Sequence, residues 1–180
     1  SPHGSRMFRC GFTGRILAVA LAFGVSRGAV VARGTAPQAE LIFQLPLAPA
    51  GMTMSPAGDF LISVSYEEKP QNRVVAITKS GESTPFPNAP VSQAAPDEPL
   101  TLDAVRGMAL DKGGVVWMLD SGRRSELPPK IIAWDAEHGR LQRVLNLSQP
   151  ALLSGSNLND IAVDVEHQFL VVADSASGLD

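Results

Sequence analysis

The chain has 180 residues, of which 44% are hydrophobic and 18% are charged, and its formal net charge is −3. This composition is typical of a globular domain and excludes a disordered or fibrous chain. The slight acidity, with no basic cluster larger than Arg123–Arg124, argues against nucleic acid as a partner. Sixteen glycines and 14 prolines beside few aromatic residues favour short strands and turns over a helical bundle.

Residues 1–36 are expected to be an upstream extension followed by a secretory signal peptide. Three arginines between positions 6 and 15 precede the apolar run Ile16–Val25, and small residues follow it. The run is shorter than the roughly 20 residues that span a bilayer, so stable membrane insertion is not expected. The only cysteine, Cys10, lies in this segment. The exported chain would therefore lack disulfides, and we expect it in a bacterial periplasm or outside the cell.

Three segments of residues 37–180 resemble one another. They are Met52–Ser65, Met108–Ser121 and Ile161–Ser175, and each reads as a strand, a tight turn and a second strand. Their first residues lie about 55 positions apart, and a fixed period of this size indicates the blades of a β-propeller.

Further strand-like runs between these hairpins complete about four strands per period. Val74–Thr78 and Lys130–Trp134 each precede a turn, and Leu141–Leu147 alternates as an outer strand would. We therefore expect an all-β fold with blades at about 40–90 and 100–150 and an incomplete third blade at 156–180. Because propellers close with 4–8 blades, these two and a half blades would be part of a ring.

The run R-G-M-A-L-D-K-G-G-V-V-W-M-L-D-S-G (Arg106–Gly122) resembles a hairpin typical of the yellow/major royal jelly protein family. Pro129–Asp135 and Leu158–Asp164, followed by Ala173–Ser175, are similar to the family in order and spacing. The resemblance covers about residues 40–180, roughly the first half of such a protein, and bacterial members are often labelled L-dopachrome tautomerase-related.

What the resemblance implies is a secreted six-bladed propeller with a ligand channel along its axis. It implies binding of a small organic ligand without a cofactor and leaves open whether the protein is an enzyme, for instance with isomerase-like activity. Nothing in the sequence predicts the oligomeric state.

The candidate ligand-binding residues are Arg106, Asn159 and Asp160. Asn159 and Asp160 stand just before I-A-V-D in the third repeat, and Arg106 holds the equivalent place in the second. In a propeller the innermost strands line the channel, so polar residues where these strands begin can orient a ligand. Alternatively, Asn159 and Asp160 cap their own loop through hydrogen bonds to the backbone.

A calcium-dependent, lactonase-like hydrolase of the gluconolactonase/regucalcin type is the alternative function. Asn159 and Asp160 would then be calcium ligands, since calcium takes oxygen donors. The Glu-Gly-Pro that supplies the glutamate of those enzymes has no match around Gly51–Met54. No other metal site is predicted, because His138 and His167 lie in predicted turns without metal-ligand spacing.

Overall fold

The computed structural model describes residues 14–19, 39–93, 100–122, 128–150 and 152–176. The chain divides into two compact units, residues 1–48 and 49–180. In the first unit, strand β1 (Gly14–Val19) pairs antiparallel with β2 (Ala39–Leu45). Apart from β1, the predicted signal peptide lies outside the described residues.

The second unit is all-β and consists of antiparallel sheets. The first sheet has four strands in the order of the chain, and these are β3 (Pro49–Met54), β4 (Phe60–Val64), β5 (Val74–Ile77) and β6 (Ser83–Pro85). The second sheet has the same order, and its strands are β7 (Val105–Leu110), β8 (Val115–Asp120), β9 (Lys130–Asp135) and β10 (Arg140–Asn146). Strands β11 (Leu158–Asp164) and β12 (Phe169–Asp174) form a hairpin. None of these sheets closes on itself within the described residues.

The second sheet lies between the first sheet and the hairpin, and apolar side chains cover both of its faces. One face contributes to a core with the first sheet, in which the buried side chains include Leu61, Val74, Met118, Ile132 and Trp134. The other face packs on the hairpin through Leu119, Ile131, Leu158 and Ile161. Burial on both faces explains why β8 and β9 have nearly continuous apolar sequences, V-V-W-M-L and I-I-A-W, rather than an alternating pattern.

Aspartates and glycines in the turns set the hairpin geometry. In the β7–β8 turn the Asp111 carboxylate accepts hydrogen bonds from the N–H groups of Gly113 (2.8 Å) and Val115 (3.0 Å) and from the Trp117 indole (2.8 Å). Gly114 has a φ of +78°, a conformation that side chains disfavour. Asp164 accepts hydrogen bonds from the N–H groups of the β11–β12 turn in the same way.

Two short helices accompany the first sheet. A 3₁₀ turn covers Tyr66–Glu68, and helix α1 covers Ala89–Ser92. Helix α1 lies in a proline-rich stretch, and its start is capped by Asn88, whose side chain accepts a hydrogen bond from the N–H of Val91 at 3.0 Å. No helix in the described part of the chain has the length and apolar character needed to cross a membrane.

Candidate functional site

The first strands of the three repeats, β3, β7 and β11, each contain a β-bulge near their start. In each strand one residue has no partner on the neighbouring strand, and these residues are Ala50, Arg106 and Asn159. They lie two positions before Met52, Met108 and Ile161, the first residues of the predicted repeats. Bulges re-aim side chains and occur often beside active sites. The equivalent bulge position therefore carries a different type of side chain in each repeat, namely an alanine, an arginine and an asparagine.

These three strands lie side by side with their backbones in close contact. A Cβ atom on Gly51 would lie 2.3 Å from the carbonyl oxygen of Arg106, and one on Gly107 would lie 2.7 Å from the Cα of Asp160. Only glycine fits in such contacts. In each case the glycine that follows a bulge packs against the bulge of the next first strand, Gly51 against Arg106 and Gly107 against Asp160. Arg106 and the Asn159–Asp160 pair therefore lie on adjacent strands.

Arg106 is half-buried, and its guanidinium stacks on the ring of Tyr66, with 5.1 Å between Cζ and the ring centroid. The Nε–H is buried and has no hydrogen-bond partner. No carboxylate among the described residues forms an ion pair with this guanidinium. An unpaired buried donor costs about 1–3 kcal/mol, so Arg106 retains unused hydrogen-bonding capacity.

Asp160 and Asn159 are both exposed. The Oδ1 atom of Asp160 accepts a hydrogen bond from the N–H of Ile161 at 2.8 Å, which is the local backbone contact considered as an alternative to ligand binding. One carboxylate oxygen of Asp160 is therefore engaged by the backbone, while Asn159 presents its amide to solvent.

The repeated Asp-Ser pairs at the ends of β8 and β12 are structural. Asp120 accepts hydrogen bonds from the backbone N–H groups of Asp103 (2.9 Å) and Ala104 (2.8 Å), just before β7 begins. Asp174 accepts one from the N–H of Asn157 at 2.7 Å, at the equivalent place before β11. The Ser156 hydroxyl and the backbone N–H groups of Ala176 and Asn157 hold the pKa of Asp174 below its usual range. Each aspartate thus fixes the segment that leads into a bulge.

Asp120 also pairs with Lys130, whose ammonium lies 2.9 Å from Oδ2, and both side chains are almost inaccessible to solvent. Neither this ion pair nor Tyr66, the single tyrosine of the chain, was predicted from the sequence. Lys130 is the first residue of the largely apolar strand β9, and a lysine is seldom fully buried. Tyr66 lies outside the repeated segments. The sequence therefore carries no specific pattern that identifies either residue.

Two cavities are lined by other residues. The larger, of about 610 Å³, is at the other end of the first two sheets, where Asp59, Phe86, Trp134 and Glu137 are among its lining residues. The smaller, of about 320 Å³, lies between the second sheet and the hairpin and is lined by aliphatic side chains, namely Ile131, Leu145, Leu147, Leu152, Leu158, Leu170 and Val172. Neither cavity includes a candidate residue predicted from the sequence.

No group of three or more His, Cys, Asp or Glu side chains in the described part of the chain is arranged to hold a metal ion. Calcium takes six to eight oxygen ligands. Asn159 and Asp160 supply fewer oxygens than this, and one of them already accepts from the backbone. These two residues by themselves do not fit a calcium site.

No protein-family model matches the chain, and no curated protein matches its sequence.

Proposed function

We propose that residues 37–180 belong to an exported β-propeller of the yellow/major royal jelly type that binds a small organic ligand where its innermost strands begin. The observation that carries this proposal is the equivalent bulge in β3, β7 and β11, which gives three adjacent strands a non-paired residue at the same end. Ligand sites are commonly formed by a few convergent polar groups on a rigid scaffold.

The propeller architecture is supported by the repetition of structure. Two consecutive periods form four-stranded antiparallel sheets of the same strand order, and the hairpin β11–β12 begins a third. The first strands of the three periods are neighbours, as the Gly51 and Gly107 contacts require. In a propeller, blades of this kind are arranged around a central channel, with the first strand of each blade facing it.

Binding rather than catalysis is the activity proposed. Four aspartates of the repeats have a structural role, because each accepts at least two hydrogen bonds from backbone N–H groups. They are Asp111, Asp120, Asp164 and Asp174. The remaining polar groups at the bulges are a guanidinium, an amide and a partly engaged carboxylate, which can orient a ligand. The export signal predicted for residues 1–36 and the resemblance of Arg106–Gly122 to the family favour a periplasmic or secreted protein.

Calorimetric titration with a panel of aromatic amines, indoles, sugar lactones and aromatic carboxylates tests the proposal. We expect heat of binding with at least one compound, and loss of that heat in the Asn159→Ala/Asp160→Ala variant. The matched control is Asn146→Ala/Glu82→Ala, which removes the same chemical groups at two exposed positions, one in β10 and one in the turn between β5 and β6. Binding that survives in the first variant would place the ligand elsewhere.

Calcium belongs in the same titration. A calcium signal that disappears in the Asn159→Ala/Asp160→Ala variant and accompanies lactone hydrolysis would replace this proposal with the lactonase-like function.

A further inference from the structure

Most cationic side chains with defined contacts among the described residues pair with a carboxylate, and the buried Arg73 donates a hydrogen bond to the carbonyl oxygen of Pro70. Lys130 is neutralised by Asp120, Arg140 by Asp135, and Lys112 by Glu166. Arg106 contacts an aromatic ring instead of a carboxylate, and its Nε–H is buried without a partner. Within the described residues, the half-buried guanidinium of Arg106 therefore has no counter-charge, and it lies at the bulge of a central strand.

We propose that the ligand of this site carries a single carboxylate group and that Arg106 binds it. This inference rests on the proposed function, because it assigns the chemical class of the ligand for the same site. A guanidinium is planar and offers parallel N–H groups that match the two oxygens of a carboxylate. A carboxylate bound through Nε and one Nη atom satisfies the Nε–H that has no partner among the described residues, and this requires a rotation of the guanidinium that exposes the Nε–H.

The ring of Tyr66 supports this role. It lies against the guanidinium at 5.1 Å from Cζ and limits the orientations that the arginine can adopt. The contact with the ring uses none of the guanidinium N–H groups as hydrogen-bond donors to oxygen, so they remain for a ligand once the Nε–H is exposed. Tyr66 is thus a positioning residue for Arg106.

The surroundings favour a monoanion over a phosphate. Asp160 lies on the adjacent strand, in backbone contact with Gly107, the neighbour of Arg106. A doubly charged phosphate would place more negative charge near this carboxylate, and among the described residues at this site the guanidinium of Arg106 alone would balance it. Asn159 and the free oxygen of Asp160 remain available to polar groups on the rest of the ligand.

The test compares benzoate with benzamide, which has the same shape but no charge. We expect benzoate to shift the ¹⁵N–¹H resonance of the Arg106 side chain and to bind at least tenfold more tightly than benzamide. Arg106→Gln should reduce benzoate affinity at least tenfold and leave benzamide affinity unchanged. Arg143→Gln, which removes an exposed arginine on β10, is the matched control and should behave as wild type.

Arg106→Lys provides a second variant, because it retains the charge and loses the planar fork. We expect it to bind benzoate more weakly than wild type and more tightly than Arg106→Gln. Equal affinities for benzoate and benzamide in the wild-type protein would overturn the inference while leaving a binding site in place. Undiminished benzoate binding in Arg106→Gln, or no shift of the Arg106 resonance at millimolar benzoate, would also overturn it. Failure of the whole compound panel as well would remove the proposed function itself.

Discussion

At the scale of single residues, Asp120 shows how a carboxylate can organise a site without taking part in it. It is fully buried and accepts hydrogen bonds from three backbone N–H groups and from Lys130. Two of these N–H groups belong to Asp103 and Ala104, which lead into β7 and its bulge at Arg106. The contact therefore fixes the path of the chain immediately before the candidate ligand-binding arginine.

Removing one member of the buried Asp120–Lys130 pair should be strongly destabilising, because the other charge is then left buried without a partner. For Asp120→Asn we expect a loss of about 3–5 kcal/mol in the free energy of unfolding, measured by urea denaturation. Lys112→Met breaks an ion pair with Glu166 in which both side chains are largely exposed, and it should cost less than about 1 kcal/mol. Similar losses in the two variants would show that Asp120 does not hold the segment before β7.

Asp135 should give the protein a stability that depends on pH in the acid range. The backbone N–H of His138 and the side chains of His138 and Arg140 lower the pKa of Asp135 from 3.8 to about 2. Because the pKa is lower in the folded protein, this stabilisation is fully present above about pH 4 and is lost as the pH falls towards 2. Asp164 and Asp174 have lowered pKa values too and act in the same direction.

The measurement is the free energy of unfolding between pH 7 and pH 2 for wild type and Asp135→Asn. The variant should be less stable than wild type at pH 7 and should lose less stability on acidification. Parallel curves for the two proteins would contradict the assignment.

At the scale of the strands, the packing of β3, β7 and β11 depends on glycine. Gly107 has no side chain to separate β7 from the backbone of Asp160 and Ile161, both of which would lie 2.7 Å from an added Cβ. The two strands must move apart if this position carries any other residue. The distance between adjacent inner strands is therefore set by backbone contact.

Gly107→Ala should lower the free energy of unfolding by about 1–3 kcal/mol, since overpacking forces the backbone to shift. It should also weaken ligand binding, because Arg106 and Asp160 are then displaced relative to each other. Gly113→Ala is the control: its added Cβ would meet only the Oδ1 of Asp111, at 3.2 Å, in an exposed turn. Thermal unfolding of both variants, followed by calorimetric titration, checks the prediction. A Gly107→Ala protein as stable as wild type would mean that the strands are not in contact.

The strands themselves were largely predictable from the sequence, whereas the contacts between them were not. The hairpins around Met108–Ser121 and Ile161–Ser175 were expected from turn residues and β-branched runs, and the structure has both. The one-turn helix Ala89–Ser92 is too short for a periodic signal, and its Asn88 cap is recognisable only once the helix is known.

Contacts between strands could not be predicted, because they depend on which strands become neighbours, and that information is non-local. This applies to the bulges, to the contact of Gly51 with Arg106 and to the contact of Tyr66 with the guanidinium. Asn159 and Asp160 were found because they precede a recognisable strand, whereas the half-buried environment of Arg106 required the fold.

At the scale of the whole second unit, the two four-stranded sheets differ from the hairpin in how many neighbouring strands their second strand pairs with. In the four-stranded sheets the second strand of each repeat is paired on both sides. Strand β12 pairs only with β11 among the described residues, and its Phe169 and Val171 are 64% and 62% exposed. An exposed apolar edge strand readily pairs with another chain.

The isolated 180-residue chain should therefore self-associate through β12. Val171→Lys places a charge on this edge and should shift the chain towards the monomer, as measured by light scattering across a concentration series. Val165→Lys adds the same charge in the exposed β11–β12 turn and should leave the association unchanged. Equal effects of both substitutions would mean that net charge, and not the strand edge, controls association.

The bulges have a consequence for how binding specificity can change. Ala50, Arg106 and Asn159 have no cross-strand partner, and the strand spacing beside them is determined by Gly51 and Gly107. A substitution at these three positions therefore alters the surface offered to a ligand without disturbing a side-chain pair in any sheet. We expect a combinatorial library confined to these positions to yield folded proteins with altered ligand preference, so that the same scaffold can acquire a new specificity through a few substitutions.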